Sequence, residues 1–175
     1  MTYREHARVC CIRSQLLPLQ ALDDRLLDAL NHTPRERFVP EIFADNAYVD
    51  EAIALGHDRF LLELSLFTRL VDAAAIKPKD TVLDVGCATG YSSVVLAQLA
   101  SHVVALEEIR NFASQTRQML KETGTEDVEV LTCTLAAGAS LMSPYDVIVL
   151  EGGVQTIPPV FLERLAEGGR LVTVE

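Results

Sequence analysis

Several residue classes are scarce in this chain. Tryptophan is absent, and aromatic residues make up only 6% of the 175 positions. Basic residues are also few, 15 against 25 acidic ones, which leaves a formal net charge of -10. A charge of that sign repels a phosphate backbone, and no local cluster of Lys and Arg offsets it. We therefore expect no nucleic-acid partner.

Long apolar runs are missing too, and so is a recognisable signal peptide, so we expect neither a membrane partner nor secretion. The four cysteines are Cys10, Cys11, Cys87 and Cys133. Their spacing fits neither a disulfide framework nor a metal site, so we predict no metal and a reducing, cytoplasmic location. The composition is 49% hydrophobic and 23% charged, which is typical of a globular protein long enough for one domain with a real core.

Residues 1–76 read as mostly helical, with little strand pattern. Leucines recur at helical spacing at Leu22, Leu26, Leu27 and Leu30. Asp23 and Asp24 suit the N-terminus of this predicted helix. Thr33, Pro34 and Glu36 have the pattern of a capping box that opens a short helix. The run from Phe60 to Ala75 predicts a further helix whose apolar face is Leu64, Phe67, Leu70, Val71 and Ala74. We expect these helices to form a cap packed on the rest of the chain.

From residue 80 onward, apolar strands alternate with amphipathic helices. The predicted strands are 81–86, 102–107, 127–132, 145–151 and 170–175, and the predicted helices are about 91–100, 109–122 and 158–167. Gly124 and Gly168 are the predicted C-caps of the last two helices. This alternation predicts an α/β fold, a Rossmann-like doubly wound and mostly parallel sheet with helices on both faces and a helical N-terminal extension. Residues 77–175 would form this core.

The most informative stretch is 82–92, which reads as a strand, a glycine loop and the start of a helix. Its glycines, Gly86 and Gly90, flank Ala88, so the spacing is of the G-x-G-x-G kind and differs from the dinucleotide fingerprint G-x-G-x-x-G. Glu107 ends the next strand about 20 residues on, where an acid can accept both hydroxyls of a ribose. The loop alone fits a phosphate site or a structural turn equally well. Together with Glu107, it resembles motif I of class I S-adenosylmethionine (SAM) methyltransferases.

Parallel strands gather their carboxyl ends at one edge of the sheet, where ligands bind. Gly86, Glu107, the turn at 132–135 and Glu151 all fall at predicted strand ends. The sequence therefore predicts one crevice lined by all four.

Shorter motifs narrow the resemblance. They are Gln15-Leu16, T-P-R-E-R-F-V-P at 33–40, A-Y-V-D at 47–50, Tyr91 after the glycine loop, Tyr145-Asp146 and E-G-G-R-L-V at 167–172. Together they resemble the protein-L-isoaspartate O-methyltransferases. The resemblance implies a SAM-dependent O-methyltransferase that methylates the side-chain carboxylate of isoaspartyl residues in damaged proteins or peptides and releases S-adenosyl-L-homocysteine. Such enzymes start the repair of those proteins.

The loop and the resemblance together nominate the cofactor-binding residues Asp84, Gly86, Cys87, Ala88, Gly90, Tyr91, Ser92, Glu107, Thr134, Leu135 and Glu151. For Asp84 we expect an acceptor for the N–H groups of the loop, the alternative being a solvated strand end. Cys87 would touch the cofactor through its backbone, and a reactive thiol is the other interpretation. Glu151 stands where the family has a threonine and would either line the methyl pocket or be a charge on its rim.

The chain also departs from the family pattern. The family's substrate segment G-x-G-Q-T-I-S aligns with 56–62, where Phe60 and Leu62 replace the two hydroxyl residues, so no catalytic residue is assigned. Arg59 is the candidate to pair with the substrate carboxylate. Its alternative is an arginine at a helix start that pairs with Glu63. The family's G-D-G after the third strand aligns with 133–135, and Ala88 replaces the central glycine of motif I.

In the family, the fifth strand is followed by an antiparallel hairpin, and because this sequence stops at Glu175 we expect a truncated product. Three functions stay open. The first is isoaspartyl carboxyl methylation, the second is methylation of another nucleophile on the same fold, and the third is SAM binding without catalysis. A carboxylate is already ionised at neutral pH, so the first needs no general base. The oligomeric state is not predicted.

Overall fold

The computed structural model describes residues 2–16, 18, 22–125 and 127–174. The helices in these residues are α1 (Tyr3–Cys11), α2 (Asp24–His32), α3 (Leu64–Ala74), α4 (Tyr91–Ala97), α5 (Arg110–Thr123) and α6 (Pro159–Glu163). The strands are β1 (Ile53–Gly56), β2 (Arg59–Leu61), β3 (Thr81–Val85), β4 (His102–Glu107), β5 (Val128–Thr132), β6 (Tyr145–Gly153) and β7 (Leu165–Val174). Four short helical turns span Ile12–Leu16, Arg35–Arg37, Glu41–Asn46 and Leu135–Ala137. No helix in this described part of the chain is long and apolar enough to cross a membrane.

The central sheet has five parallel strands in the order β5-β4-β3-β6-β7. The chain builds outward from β3 through β4 to β5 and then returns to the other side of β3 with β6. The strand order therefore reverses between β3 and β6, and the crevice of such a sheet opens at this switch point. The predicted α/β fold, with its parallel sheet, flanking helices and N-terminal helical segment, is confirmed.

The three central strands β3, β4 and β6 are mostly buried on both faces, as their almost wholly apolar sequences require, whereas the edge strands β5 and β7 are partly exposed. Val82 and Val103 point into a core that also contains residues of α2, α3 and α4. Leu83 and Val104, one position further along each strand, point into a second core with Phe161 of α6. Described residues of the first 76, such as Leu26 and Phe67, thus share one hydrophobic cluster with the sheet.

Two helices of the N-terminal part form as predicted. The Asp23 carboxylate accepts the backbone N–H of Arg25 and caps α2, whose Leu26 and Leu30 are buried. The predicted apolar face of α3 is buried throughout. Gly124 ends α5 in the left-handed conformation, as predicted.

The predicted capping box at Thr33 is wrong. Thr33 ends α2, and its hydroxyl donates to the carbonyl of Ala29 at 2.8 Å. The Glu36 carboxylate accepts the hydroxyl of Tyr48, 12 residues further along the chain. Both side chains are engaged elsewhere, and the segment Arg35–Arg37 forms only a 3-10 turn without a side-chain cap.

Residues 53–61 form a β-hairpin within the N-terminal part, for which the sequence predicted mostly helix and little strand. Strands β1 and β2 pair antiparallel, and the turn between them holds His57 and Asp58 at φ of 54° and 56°. Such a turn matches the twist of a hairpin. Phe60 belongs to β2, so α3 begins at Leu64, four residues later than predicted. Strands of four and three residues are too short to show a clear alternation.

The C-terminal prediction is wrong at one boundary. The helix predicted over 158–167 ends at Glu163, and β7 begins at Leu165 instead of at residue 170. Gly168 is not a C-cap. It lies in a bulge of β7 at φ of 72°, between the pairs Tyr145 with Leu165 and Val147 with Arg170. Glu175, the last residue of the predicted fifth strand, lies outside the described residues.

Arg170 of β7 ties the sheet to the segment before β3, and we expect its replacement by alanine to destabilise the fold. Its guanidinium donates to the carboxylate of Asp80 at 2.5 Å and to the carbonyls of Ala74 and Ala75 at 2.8 and 3.0 Å. Burial raises the pKa of Asp80, but the Lys77 N–H and Arg170 outweigh it and hold this pKa below its usual value. Without Arg170 the charge of Asp80 is buried and has no cationic partner, so we expect the free energy of unfolding to fall by roughly 3 kcal/mol. Urea unfolding of the wild type and the variant measures this difference.

The matched control is Arg37→Ala. Arg37 and Glu122 are also 2.5 Å apart, but their side chains are 43% and 39% exposed, against 28% and 4% for Arg170 and Asp80. An exposed ion pair contributes at most about 1 kcal/mol. Equal losses of unfolding free energy in Arg170→Ala and Arg37→Ala would contradict the claim that the Arg170–Asp80 pair matters more because it is buried.

Candidate cofactor and substrate site

The loop after β3 is the floor of the crevice. Gly86 and Gly90 have φ of 81° and 90°, a region that L side chains avoid, and Ala88 between them has φ of 45°. The N–H of Gly86 donates to the carbonyl of Leu106 on β4 at 2.8 Å. A Cβ on Gly86 would lie 3.4 Å from the Arg59 guanidinium and 3.9 Å from the Cβ of Glu151. The missing side chain therefore leaves room between these two residues.

Helix α5 holds the other end of the loop. A Cβ on Gly90 would lie 2.7 Å from Cγ2 of Thr116 and 3.2 Å from its Cα. The Thr116 hydroxyl donates to the carbonyl of Ala88 at 2.7 Å. Sequence reasoning did not identify Thr116, because its role depends on the packing of α5 against the loop.

Glu107 lies at the end of β4 and is fully buried. Its two carboxylate oxygens accept the N–H groups of Ala88 at 2.9 Å and Ile109 at 2.8 Å. A carboxylate offers about four acceptor positions, so two remain for a ligand. Glu107 thus fixes the loop and still has the capacity to bind a pair of hydroxyls.

Asp84 is buried at the end of β3, and neither interpretation offered above for its surroundings is right. Its carboxylate accepts the hydroxyls of Ser92 at 2.8 Å and Ser93 at 2.6 Å, both in the first turn of α4, instead of backbone N–H groups. Burial raises the pKa of Asp84 to about 6 although these hydroxyls lower it. Ser92 therefore acts through Asp84 to orient α4, and Ser93, which sequence reasoning missed, does the same.

Two further residues of the loop region are enclosed by protein. The Tyr91 ring packs edge-on to Phe38, with centroids 5.5 Å apart, and beneath the guanidinium of the buried Arg35 at 5.2 Å. Cys87 is 4% exposed, and burial raises the pKa of its thiol well above the usual value. This environment argues against a reactive thiol. The side chains of Tyr91 and Cys87 therefore pack against the protein interior and support the loop from that side.

The turn after β5 forms another side of the crevice. Thr134 is exposed and begins the 3-10 turn Leu135–Ala137. A side-chain methyl of Leu135 would lie 3.7 Å from a Cβ on Gly86. The backbone N–H of Leu135 donates to the Glu108 carboxylate at 3.3 Å. The turn thus reaches the glycine loop, as predicted from the strand ends.

Arg59 reaches the crevice from the hairpin. Its guanidinium lies 2.8 Å from the Glu108 carboxylate and 3.6 Å from that of Glu107. The alternative pairing with Glu63 is wrong, because Arg59 is on β2 and positions four apart are neighbours only on a helix. Glu108, which the sequence did not nominate, is the direct partner.

Glu151 lies on β6, across the switch point from Gly86. Its Oε1 is buried and has no hydrogen-bond partner among the residues that the structure describes. Burial, and then the charge of Asp84, raise its pKa well above the usual value. The residue as a whole is half-buried, so both interpretations, a side chain that lines the methyl pocket and a charge on its rim, stay predictions.

The sequence profile of protein-L-isoaspartate(D-aspartate) O-methyltransferase matches residues 15–174. The chain belongs to this family. It is 34% identical over 165 residues to protein-L-isoaspartate O-methyltransferase 2 of Marinobacter nauticus, an alignment that covers 94% of this chain and 75% of the relative. The family resemblance of the short motifs is thereby confirmed.

Solved structures support the fold. A protein-L-isoaspartate O-methyltransferase superposes with a TM-score of 0.77 at 23% identity, over 96% of this chain and 54% of that one. A Plasmodium falciparum protein assigned to the same methyltransferases, in complex with S-adenosyl-L-homocysteine, superposes with a TM-score of 0.78 at 17% identity. That comparison covers 100% of this chain and 86% of the other.

The isoaspartyl methyltransferase family uses SAM, and the crevice of this member fits that cofactor. A Cβ on Gly86 would stand in contact with Arg59, Leu135 and Glu151, so its absence leaves the loop backbone open to a ligand there, and the Glu107 carboxylate on the neighbouring strand retains acceptor capacity. The substitution Ala88 for glycine is accommodated, since its N–H still donates to Glu107. The substrate side differs more, because Phe60 is 56% exposed and Leu62 packs on the core without any hydroxyl.

Proposed function

We propose that this chain transfers the methyl group of SAM to the side-chain carboxylate of isoaspartyl residues in proteins or peptides, with S-adenosyl-L-homocysteine as the second product. The observation that carries the proposal is the glycine loop fixed by buried Glu107 in a chain of this family. The net charge of -10 supports a protein rather than a nucleic acid as substrate. The free cysteines support a reducing, cytoplasmic location.

The cofactor would be held between the loop and the ends of the neighbouring strands. The site residues we propose are those nominated from the sequence at the loop, with Glu107 for the ribose and the turn at Thr134 and Leu135 beside it. Asp84, Ser92 and Tyr91 support the loop and α4 from the protein side. When bound, SAM supplies an electrophilic methyl group on a sulfonium centre.

The protein's task is to align the substrate. An isoaspartyl carboxylate is ionised at neutral pH, so one of its oxygens attacks without loss of a proton and no general base is required. Holding the two reactants in line provides most of the rate enhancement. Arg59 is placed to attract the carboxylate, because its guanidinium borders the same space as Gly86.

A second candidate is methylation of a hydroxyl or amine nucleophile on the same fold. The observation that favours it is the apolar surface at Phe60 and Leu62, where the family carries hydroxyl residues. Loss of polar groups in a substrate pocket changes specificity more readily than it changes the cofactor site.

Incubation of the purified chain with SAM and an isoaspartyl peptide tests the proposal. We expect a peptide heavier by one methyl group, and we expect alkali to release that group as methanol, since a carboxyl ester is labile to base. A methyl group that resists alkali would establish the second candidate instead. Binding of S-adenosylhomocysteine without any transfer to protein or peptide substrates would leave a SAM-binding protein without catalysis.

A further inference from the structure

Glu151 occupies a distinctive position in the crevice. It follows Leu150, which pairs with Val85 in the register of β6 and β3, so it lies beside Gly86 at the switch point. Its Cβ would be 3.9 Å from a Cβ on Gly86. Its Oε1 is enclosed by protein and has no hydrogen-bond partner within the described residues. A buried polar atom of this kind has its hydrogen-bonding capacity free for a ligand.

The charges around Glu151 come from four parts of the chain. Asp84 on β3 is the acidic neighbour, with the Glu107 carboxylate of β4 beyond it. The buried guanidinium of Arg35 and that of Arg59 on β2 are the positive groups on this side of the sheet. Arg59 is already paired with Glu108 at 2.8 Å, and Arg35 donates to the carbonyls of Ala47 and Leu62.

Of the two neighbouring carboxyl groups, that of Asp84 is charged and that of Glu151 is protonated. Asp84 accepts two serine hydroxyls on its Oδ2, which stabilise its charged form although its Oδ1 has no partner, whereas no donor contacts Glu151 in the described part of the chain. Two buried carboxyls that interact cannot both ionise at low cost. Glu151 is therefore the neutral member of the pair, and a neutral carboxyl is a hydrogen-bond donor.

We propose that Glu151, as the neutral acid, donates a hydrogen bond to the substrate carboxylate and positions it for methyl transfer. This inference rests on the proposed function and assigns Glu151 the work of the hydroxyls lost at Phe60 and Leu62. The Glu151 O–H would contact one carboxylate oxygen of the isoaspartyl side chain, and the other oxygen would attack the methyl group. Glu151 keeps its proton throughout, so it is a positioning residue and transfers no group.

Three substitutions at Glu151 test the assignment. Glu151→Gln and Glu151→Thr keep a donor, an amide N–H or a hydroxyl, whereas Glu151→Ala removes it. One hydrogen bond to a charged group corresponds to roughly a 10- to 100-fold effect. We expect Glu151→Ala to lower kcat/KM for an isoaspartyl peptide by about that factor, while Glu151→Gln and Glu151→Thr stay within about threefold of wild type, by the same principle.

The pH profile separates a donor from a merely structural side chain. Wild-type kcat/KM should fall as pH rises through the pKa of Glu151, because the donor is lost and a second negative charge appears beside the substrate. The profiles of Glu151→Gln and Glu151→Thr should stay level over the same range, since neither side chain titrates there. The far-ultraviolet circular dichroism spectra of all four proteins should superimpose, which reports an intact fold.

The outcomes distinguish this inference from the function on which it rests. If wild type does not methylate the isoaspartyl peptide, the proposed function fails. If wild type methylates it and Glu151→Ala is equally active, the positioning role fails alone. Equal loss in the glutamine and alanine variants, with a wild-type rate that rises with pH, would show that Glu151 acts as a base and would overturn its role as donor.

Discussion

Replacing Glu107 by alanine is expected to weaken the binding of S-adenosylhomocysteine by about 100-fold or more. The carboxylate accepts the N–H groups of Ala88 and Ile109 and, in the proposed complex, the ribose hydroxyls. Each hydrogen bond to a charged group contributes roughly 1.5–3 kcal/mol, and several are lost at once. Calorimetric titration of wild type and variant measures the ratio of dissociation constants directly.

Glu108→Ala is the matched control. Glu108 is the next residue, it also contacts Arg59, and it is 41% exposed where Glu107 is fully buried. Its removal eliminates the closer ion pair of Arg59 and the long 3.3 Å hydrogen bond from the Leu135 N–H, but leaves the contacts of Glu107 with the glycine loop in place, so affinity should change by no more than about fivefold, as expected of exposed interactions. Equal losses in both variants would place the cofactor elsewhere.

The second large effect is expected at Gly90, where alanine should destabilise the fold by roughly 3 kcal/mol. The new Cβ would lie 2.7 Å from Thr116 Cγ2 and 3.2 Å from the Thr116 Cα, which belongs to the backbone and cannot move aside. The φ of 90° adds strain. Urea unfolding monitored by circular dichroism gives the difference in unfolding free energy.

Gly124→Ala controls for backbone strain alone. Gly124 also has a positive φ, 67°, but a Cβ there would meet nothing within 4 Å. We expect a cost of about 1 kcal/mol. Adding Thr116→Ser to Gly90→Ala removes Cγ2, keeps the hydroxyl and should recover part of the loss. A Gly90 variant no less stable than the Gly124 variant would contradict the close contact between α5 and the loop.

The sheet and the floor of the crevice could be predicted from local sequence. Strands such as β3 and β4 are almost continuously apolar because they are buried on both faces, and this pattern is distinct even in isolation. The glycine loop and Glu107 follow from a spacing that a strand, a tight turn and a helix require. The convergence of Gly86, Glu107 and Glu151 then follows from the parallel arrangement alone.

What could not be predicted depends on contacts between distant segments. For Arg59 the sequence offers a substrate carboxylate or Glu63 as partner, because the short hairpin gives no strand pattern, and its actual partner Glu108 is 49 residues away in sequence. The clamp of Thr116 on Ala88 depends on how α5 packs. The donors to Asp84 are hydroxyls of α4, whose orientation only the folded helix defines. The bulge at Gly168 looks like a helix C-cap in sequence, since both need a positive φ.

The most direct test of the central claim compares two peptides of the same sequence, one with an isoaspartyl and one with an ordinary aspartyl residue, as substrates for labelled SAM. We expect the chain to methylate the isoaspartyl peptide with a kcat/KM far above that for the aspartyl peptide, and Glu107→Ala to abolish the difference by loss of the cofactor. Equal rates with the two peptides, or transfer to neither of them while S-adenosylhomocysteine binds, would contradict the account.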